Sequence, residues 1–160
     1  MAYEEAFYYL EKRGYADRVQ VFDVSSATVE LAAVAIGTEP ARIAKSLSFM
    51  VDEKPVIVIC AGDTKINNSR YKEVFHKKAK MLTAEEVHNL IGHDVGGVCP
   101  FGIKDGVEVY LDESLKRFET VYPACGSANS AVKLTPEELE QLSGSKAWID
   151  VCKIKGSDEK

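Results

Sequence analysis

The sequence is short of the features that announce several large classes of protein. No apolar run approaches the ~20 residues needed to cross a bilayer as a helix. The first residues, Met1-Ala2-Tyr3-Glu4-Glu5, are acidic and lack the basic start and apolar stretch of a secretory signal. We therefore expect a cytoplasmic protein with no membrane partner. The four cysteines, Cys60, Cys99, Cys125 and Cys152, are widely spaced and form no CxxC pair, which argues against a structural zinc site. In a reducing compartment they should be thiols. His76, His88 and His93 are not at HExxH spacing, and the last two, five residues apart, fit one helical face poorly. Neither a dinucleotide-binding GxGxxG in its strand–helix context nor a phosphate-binding GxxxxGK[ST] is present. No metal and no cofactor are expected. Positive charge is also scarce: 20 Lys and Arg against 25 Asp and Glu give a net charge of −5. That excludes a protein that coats DNA or RNA by neutralising many phosphates. It leaves open a protein that touches one phosphate-bearing end of a nucleic acid.

What is present reads as one folded domain. Hydrophobic residues make up 46% of the 160 and charged residues 28%, an ordinary globular balance. Only Gly156 to Lys160 reads as a loose tail. Ala6, Phe7, Tyr9 and Leu10 among charged residues predict a short amphipathic helix ending near Gly14. Val19 to Phe22 reads as a strand. Ser26 or Thr28 caps a second helix with Val29, Ala32, Ala33 and Ile36 inward and Gly37 as its stop. From Ile43 to Val51 the pattern alternates, Asp52 to Pro55 is a turn, and Val56 to Cys60 is apolar throughout, as in a buried central strand. Ser69 to His76 reads as a short basic helix. Thr83-x-x-Glu86 and Thr135-x-x-Glu138 are capping boxes. Strands are expected at Val107–Leu111, Thr120–Tyr122, Ala131–Leu134 and Trp148–Lys153. Short turns join several strand pairs, whereas parallel pairs need crossovers of a dozen or more residues. The expected fold class is α+β, with a mixed, largely antiparallel, curled sheet flanked by helices.

Four features could carry chemistry. Lys45 shares a strand face with Ile43, Leu47 and Phe49. Such a lysine either snorkels to solvent at the strand mouth or lines a pocket and holds an anionic or carbonyl oxygen. Gly96-Gly97-Val98-Cys99-Pro100-Phe101-Gly102 specifies a fixed irregular backbone, either a tight turn or a cradle whose N–H groups approach a ligand. Ala124 to Ser130 is small and polar between apolar stretches, a hairpin loop or a ligand loop in which Ser127 or Asn129 donates hydrogen bonds. The run Lys65, Arg70, Lys72, Lys77, Lys78 and Lys80 is either a solvated face or a contact for a phosphate backbone. Cys99 and Cys125 lie in the two glycine-containing loops, and nothing in the spacing pairs either with a histidine base.

Three of these segments, Ala41-Arg42-Ile43-Ala44-Lys45-Ser46-Leu47, Gly96 to Gly102 and Gly126-Ser127-Ala128-Asn129-Ser130, occur in one order. That set resembles the YbaK/ProX family, the aminoacyl-tRNA editing domain also found inserted in bacterial prolyl-tRNA synthetases. The resemblance covers nearly the whole chain, 1–155, with 156–160 as tail. It implies a single α+β domain around a small pocket. It implies hydrolysis of the ester that joins a wrong, small amino acid to the end of a tRNA of the proline type, by an editing domain standing alone. Lys45 matches the family's pocket lysine, Gly96 to Pro100 its GxxxP loop, and Gly126 and Ser127 its Gly-Ser element. The candidate site is then Lys45 as the catalytic group. Thr28, Ser46, Gly96, Gly97, Val98, Cys99, Pro100, Phe101, Gly102, Gly126, Ser127, Asn129 and Ser130 seat the substrate. Arg70, Lys72, Lys77, Lys78 and Lys80 meet the tRNA. The expected partners are a tRNA acceptor end and an aminoacyl-tRNA synthetase. The alternative is a non-catalytic module that holds an aminoacyl or nucleotide group for a synthetase. Ser46 stands where some alanine-specific members carry Asn, and Ser130 where the cysteine-clearing branch tends to carry Asp, so the resemblance leaves the amino acid open.

Overall fold

The computed structural model describes residues 2–156, so the expected tail lies outside the described residues apart from Gly156. Helix α1 (Ala2–Glu11) buries Ala6 and Leu10, one turn apart on a single face. Strand β1 (Val19–Val21) follows. Helix α2 (Val29–Ile36) is capped by Thr28, whose hydroxyl accepts from the Leu31 N–H at 3.2 Å, and stops at Gly37, where φ is 87°. Thr28 takes the cap, and Ser26 lies outside the helix. Strands β2 (Ala44–Val51) and β3 (Lys54–Ala61) pair antiparallel along their whole length through the two-residue turn Asp52–Glu53. Both turn residues have positive φ, 49° and 67°, as the tightest hairpin turns require. The chain continues through β4 (Thr64–Ile66), α3 (Asn68–Phe75), and a short α4 (Ala84–Glu86) that widens into a π turn over Val87–Ile91. After the glycine loop come β5 (Glu108–Asp112), β6 (Ser130–Val132), α5 (Pro136–Ser143), β7 (Ala147–Ile149) and β8 (Cys152–Ile154). Both expected capping boxes are formed.

The main sheet has the order β2-β3-β5-β7. β3 lies inside it and is covered on both faces, which explains its unbroken apolar run. Ile57, Ile59 and Ala61 enter the main core with Leu10, Ile91, Phe101 and Leu111. Val56, Val58 and Cys60 enter a second core on the other face with Phe49, Tyr71 and Phe75. Two ribbons, β1 with β6 and β4 with β8, are antiparallel. Of the five strand pairings among the described residues, three are therefore antiparallel, and the sheet is mixed as expected.

The parallel pairs are β3 with β5 and β5 with β7. Their crossovers are long stretches holding α3 and α4 in one case and β6 and α5 in the other. The strand expected over Trp148–Lys153 is split into β7 and β8. Asp112, buried to 1% exposure, accepts the Val151 N–H at 2.9 Å and the Ser114 N–H at 2.9 Å, and so draws the chain out of line at Val151. The expected strand Thr120–Tyr122 makes only single bridges, Val121 to Leu134 and Tyr122 to Ile43.

Candidate functional site

A cavity of about 400 Å³ opens where β2 passes under the N-terminus of α2. Ile43 and the β2 stretch from Ala44 to Ser48 form one wall, and Ser26 to Val29 with Ala32 forms another. Val95, Gly96 and Val98 close it from the glycine loop, and Tyr122, Ala124, Ser130 and Ala131 from the opposite side. The structure therefore brings together Thr28, Lys45, Ser46, Gly96, Val98 and Ser130 of the residues expected from sequence.

The other expected residues stand behind the cavity wall. Gly97 packs so closely on the second loop that a Cβ there would lie 2.7 Å from the Ser127 nitrogen and 2.9 Å from the Gly126 carbonyl carbon. Gly126 (φ 78°) in turn leaves room only for the Ala2 carbonyl oxygen, 2.5 Å from where its Cβ would be, and Gly102 (φ 65°) does the same for Glu5. These glycines let two loops and α1 meet backbone to backbone. Ser127, Asn129 and Ser130 bond to one another: the Ser127 hydroxyl lies 2.7 Å from that of Ser130 and donates to Asn129 Oδ1 at 3.0 Å. Asn129 Nδ2 donates to the Phe22 carbonyl at 3.1 Å, and the Ser26 N–H donates to the Ala128 carbonyl at 2.6 Å. This loop is a strut that holds segment 22–28, and with it the start of α2, over the cavity.

Cys99, Pro100 and Phe101 are buried. The Cys99 sulfur lies 3.6 Å from His93 Nε2, which sits 2.9 Å from the Phe101 carbonyl oxygen. Sequence reasoning missed this pair, because His93 lies only six residues away in a loop with no periodic register to read. Burial pushes the Cys99 thiol well above its ordinary pKa and holds the His93 imidazolium below its own. A thiolate–imidazolium pair is therefore opposed on both sides, and neither group lines the cavity.

Lys45 is half-buried, and its ammonium donates to the Thr64 carbonyl of β4. Burial lowers its pKa, the Cys60 thiol opposes that, and the neighbouring Lys155 ammonium adds to it. Asp63, one residue before Thr64, is held by Arg117 in a two-pronged pair at 2.6 and 3.0 Å, which keeps its carboxyl below the usual range. Among the described residues Lys45 makes no ion pair. The hydroxyls of Ser26 and Ser46, both at the cavity, are buried with no hydrogen-bond partner among the described residues.

The expected tRNA-facing residues are not gathered at the cavity. Arg70 is bonded to Asp150 at 3.0 Å and to the Cys152 carbonyl at 2.8 Å, and Lys77 pairs with Asp52 at 3.3 Å. Lys72, Lys78 and Lys80 are exposed, with Lys80 next to Met81 on the cavity rim.

Residues 24–142 match the family model of the aminoacyl-tRNA editing domain. The chain belongs to that family. The editing-domain match takes in the whole cavity wall and leaves α1, β1, β7 and β8 outside it. An uncharacterized relative, YwhH of Bacillus subtilis strain 168, is 56% identical over 136 residues, 84% of this chain and 87% of that protein. The proline–tRNA ligase of Bacillus cytotoxicus is 32% identical over 125 residues. The match covers 78% of this chain but only 20% of the ligase, so this editing domain corresponds to one part of the larger enzyme. A crystal structure of a proposed trans-editing enzyme for prolyl tRNA synthetase superimposes with a TM-score of 0.85 at 29% identity, over 95% of this chain and 97% of that one.

Proposed function

We propose that this editing domain is an aminoacyl-tRNA deacylase that acts in trans in the cytoplasm, releasing a small, wrongly attached amino acid from a tRNA of the proline type. One observation carries the reading: among the described residues that line the cavity, Lys45 is the one charged side chain. A cavity of this size suits an aminoacyl group. Its apolar walls at Val29, Ala32 and Leu47 select by volume, and one methylene is worth only about 1–3 kcal/mol of discrimination.

An aminoacyl ester is already activated, so the protein needs to position it and stabilise charge more than supply a strong nucleophile. An ammonium has three donors. One of Lys45's is on Thr64, and two remain for the carbonyl oxygen of the ester. Water adds to the carbonyl carbon, and negative charge collects on that oxygen beside Lys45. The carbon–oxygen bond to the ribose then breaks, and the ribose oxygen leaves with the proton that water gave up. Among the described residues the cavity wall carries no carboxylate or imidazole, so the proton is relayed by the vicinal ribose hydroxyl or by the amino group of the substrate.

The same lack of a base favours one rival reading, a module that binds the aminoacyl end for a synthetase and protects the ester. Turnover separates the two. The protein is incubated with tRNAs mischarged with Ala, Ser, Cys, Thr and Pro, and ester loss is followed. Release of at least one small amino acid, abolished by Lys45→Ala, is expected. Slower loss than in buffer alone for every tRNA would replace the deacylase with the binder.

A further inference from the structure

Two hydroxyls at the cavity stand out against its apolar lining. Ser26 is only 8% exposed, and its Oγ is buried. The Ser46 Oγ is buried too, and neither oxygen has a hydrogen-bond partner among the described residues. Buried hydroxyls are costly to leave unpaired, so these two favour an occupant of the cavity that can bond to them. Neighbouring hydroxyls are already engaged. That of Thr28 accepts from the Leu31 N–H, and that of Ser130 lies 2.7 Å from the Ser127 hydroxyl. Because Thr28 caps α2, the Ser26 side chain is released from that role. Its backbone is pinned by the N–H that donates to the Ala128 carbonyl at 2.6 Å, so the residue is fixed at the wall.

The two serines are set apart from the cavity's charge. Side chains alternate along β2. Lys45 is paired with Cys60, on the face of the second core, and its ammonium bonds to Thr64 there. Ser46 is paired with Ile59, on the face of the main core. Leu82, Val87 and Val98 line the cavity and belong to or pack on that core. Ser26 hangs on Ala128, in the loop between the main-core residues Cys125 and Val132. The cavity thus has a charged end at Lys45 and a neutral, hydroxyl-bearing end towards the main core.

We infer that Ser26 and Ser46 form a polar subsite that reads a hydroxyl on the side chain of the misattached amino acid. Serine and threonine are then released in preference to apolar amino acids of the same size. This rests on the deacylase reading above and names its substrate class. With the ester carbonyl at Lys45, the ribose must face the mouth, because the rest of a tRNA cannot enter a cavity of about 400 Å³. The amino acid therefore points inward. Its ammonium suits the serine end poorly, since no carboxylate lines the wall among the described residues and a buried charge needs a counter-charge. A neutral hydroxyl suits it well, donating to one serine oxygen and accepting from the other. A methyl in the same place leaves both serines unpaired.

The test charges one tRNA in parallel with threonine or valine, and with serine or 2-aminobutyrate. Each pair sets a hydroxyl against a methyl at the same position. Wild-type kcat/KM is expected to favour the hydroxyl member of each pair by about a hundredfold or more. In the double variant Ser26→Ala, Ser46→Ala that ratio should fall to within a few fold. The melting temperature of the variant should not drop, because two unpaired hydroxyls have been removed. Equal release of both members by wild type overturns the subsite. So does a double variant that keeps the wild-type ratio, including one that loses all four substrates equally, which would move the serines to the amino group or the ribose. Calorimetry with amide-linked threonyl and valyl adenosine repeats the comparison without hydrolysis. If wild type deacylates nothing, the function reading fails while calorimetry still decides the subsite. Tighter binding of the threonyl compound, lost in the double variant, supports it; equal or absent binding of the two overturns it.

Discussion

Replacing Lys45 with methionine keeps the length of the side chain and removes its charge. The mechanism asks this ammonium to stabilise the oxyanion, and loss of one such donor costs about 2.7–4 kcal/mol, or roughly 10²–10³ in kcat. Stability should move the other way or not at all. Burial holds the Lys45 pKa below the value of about 10.4 that it has in the unfolded chain. The unfolded chain therefore binds this proton more tightly, and the folded state carries a penalty at every pH below the depressed pKa. That penalty fades as pH rises from the folded towards the unfolded value. Methionine removes it and gives up the hydrogen bond to Thr64, so the balance stays within about 1 kcal/mol, some 2–4 °C in melting temperature for a chain of this size. Single-turnover deacylation and thermal unfolding read the two quantities. Wild-type activity should also decline as pH rises through the depressed pKa, below the range of an ordinary lysine, and the residual activity of the variant should lack that limb. Turnover within threefold of wild type refutes the role of Lys45. A fall of 10 °C or more shows that Lys45 is there for the fold.

Gly97→Ala sets a Cβ against backbone atoms at 2.7–2.9 Å, so the two loops must separate by several tenths of an ångström. The expected cost is about 1–3 kcal/mol, seen as a lower melting temperature and a larger KM, because Gly96 and Val98 move with it; unchanged values of both would show that the loops are not locked. Cys99→Ala should leave the rate constant for deacylation intact, since the thiol is fully buried away from the cavity and its ionisation is opposed by burial. A hundredfold loss in a folded Cys99→Ala protein would revive a thiol nucleophile.

Thr28 and Gly37 bound α2, and the capping boxes and the β2–β3 hairpin form where their residues stand, because caps and tight turns are settled within a few residues. The parallel pairs of β5 are not local: they depend on where two long crossovers deliver the chain. Neither is the break between β7 and β8, which a carboxylate 39 residues away imposes. Lys45 stood out in the sequence because strand alternation and the family resemblance point to the same residue, whereas Ser46 came from the resemblance alone; both line the cavity. The glycines were legible as special but not as to why. A position that needs close approach looks the same in sequence whether the neighbour is a ligand or, as at Gly97, Gly102 and Gly126, another stretch of backbone.

The availability of Lys45 depends on what happens to the carboxylates around it. An acidic chain tends to find an acidic partner for any half-buried lysine, and a lysine so paired has little left to offer a substrate oxygen. Here Asp63 stands one residue from the carbonyl that holds Lys45, the obvious candidate for such a pair. Arg117 takes it instead, with two bonds in the bidentate geometry that an arginine makes and a lysine cannot. The ammonium bonds to a neutral carbonyl and feels the repulsion of Lys155, while Cys60, Cys152 and the more distant Asp63 act in the opposite direction without an ion pair. The Asp63–Arg117 pair is exposed enough to add little to stability. Its consequence is local: it keeps the Asp63 carboxylate from pairing directly with Lys45, which on the proposed deacylase reading leaves that ammonium for the charge that would develop on the ester.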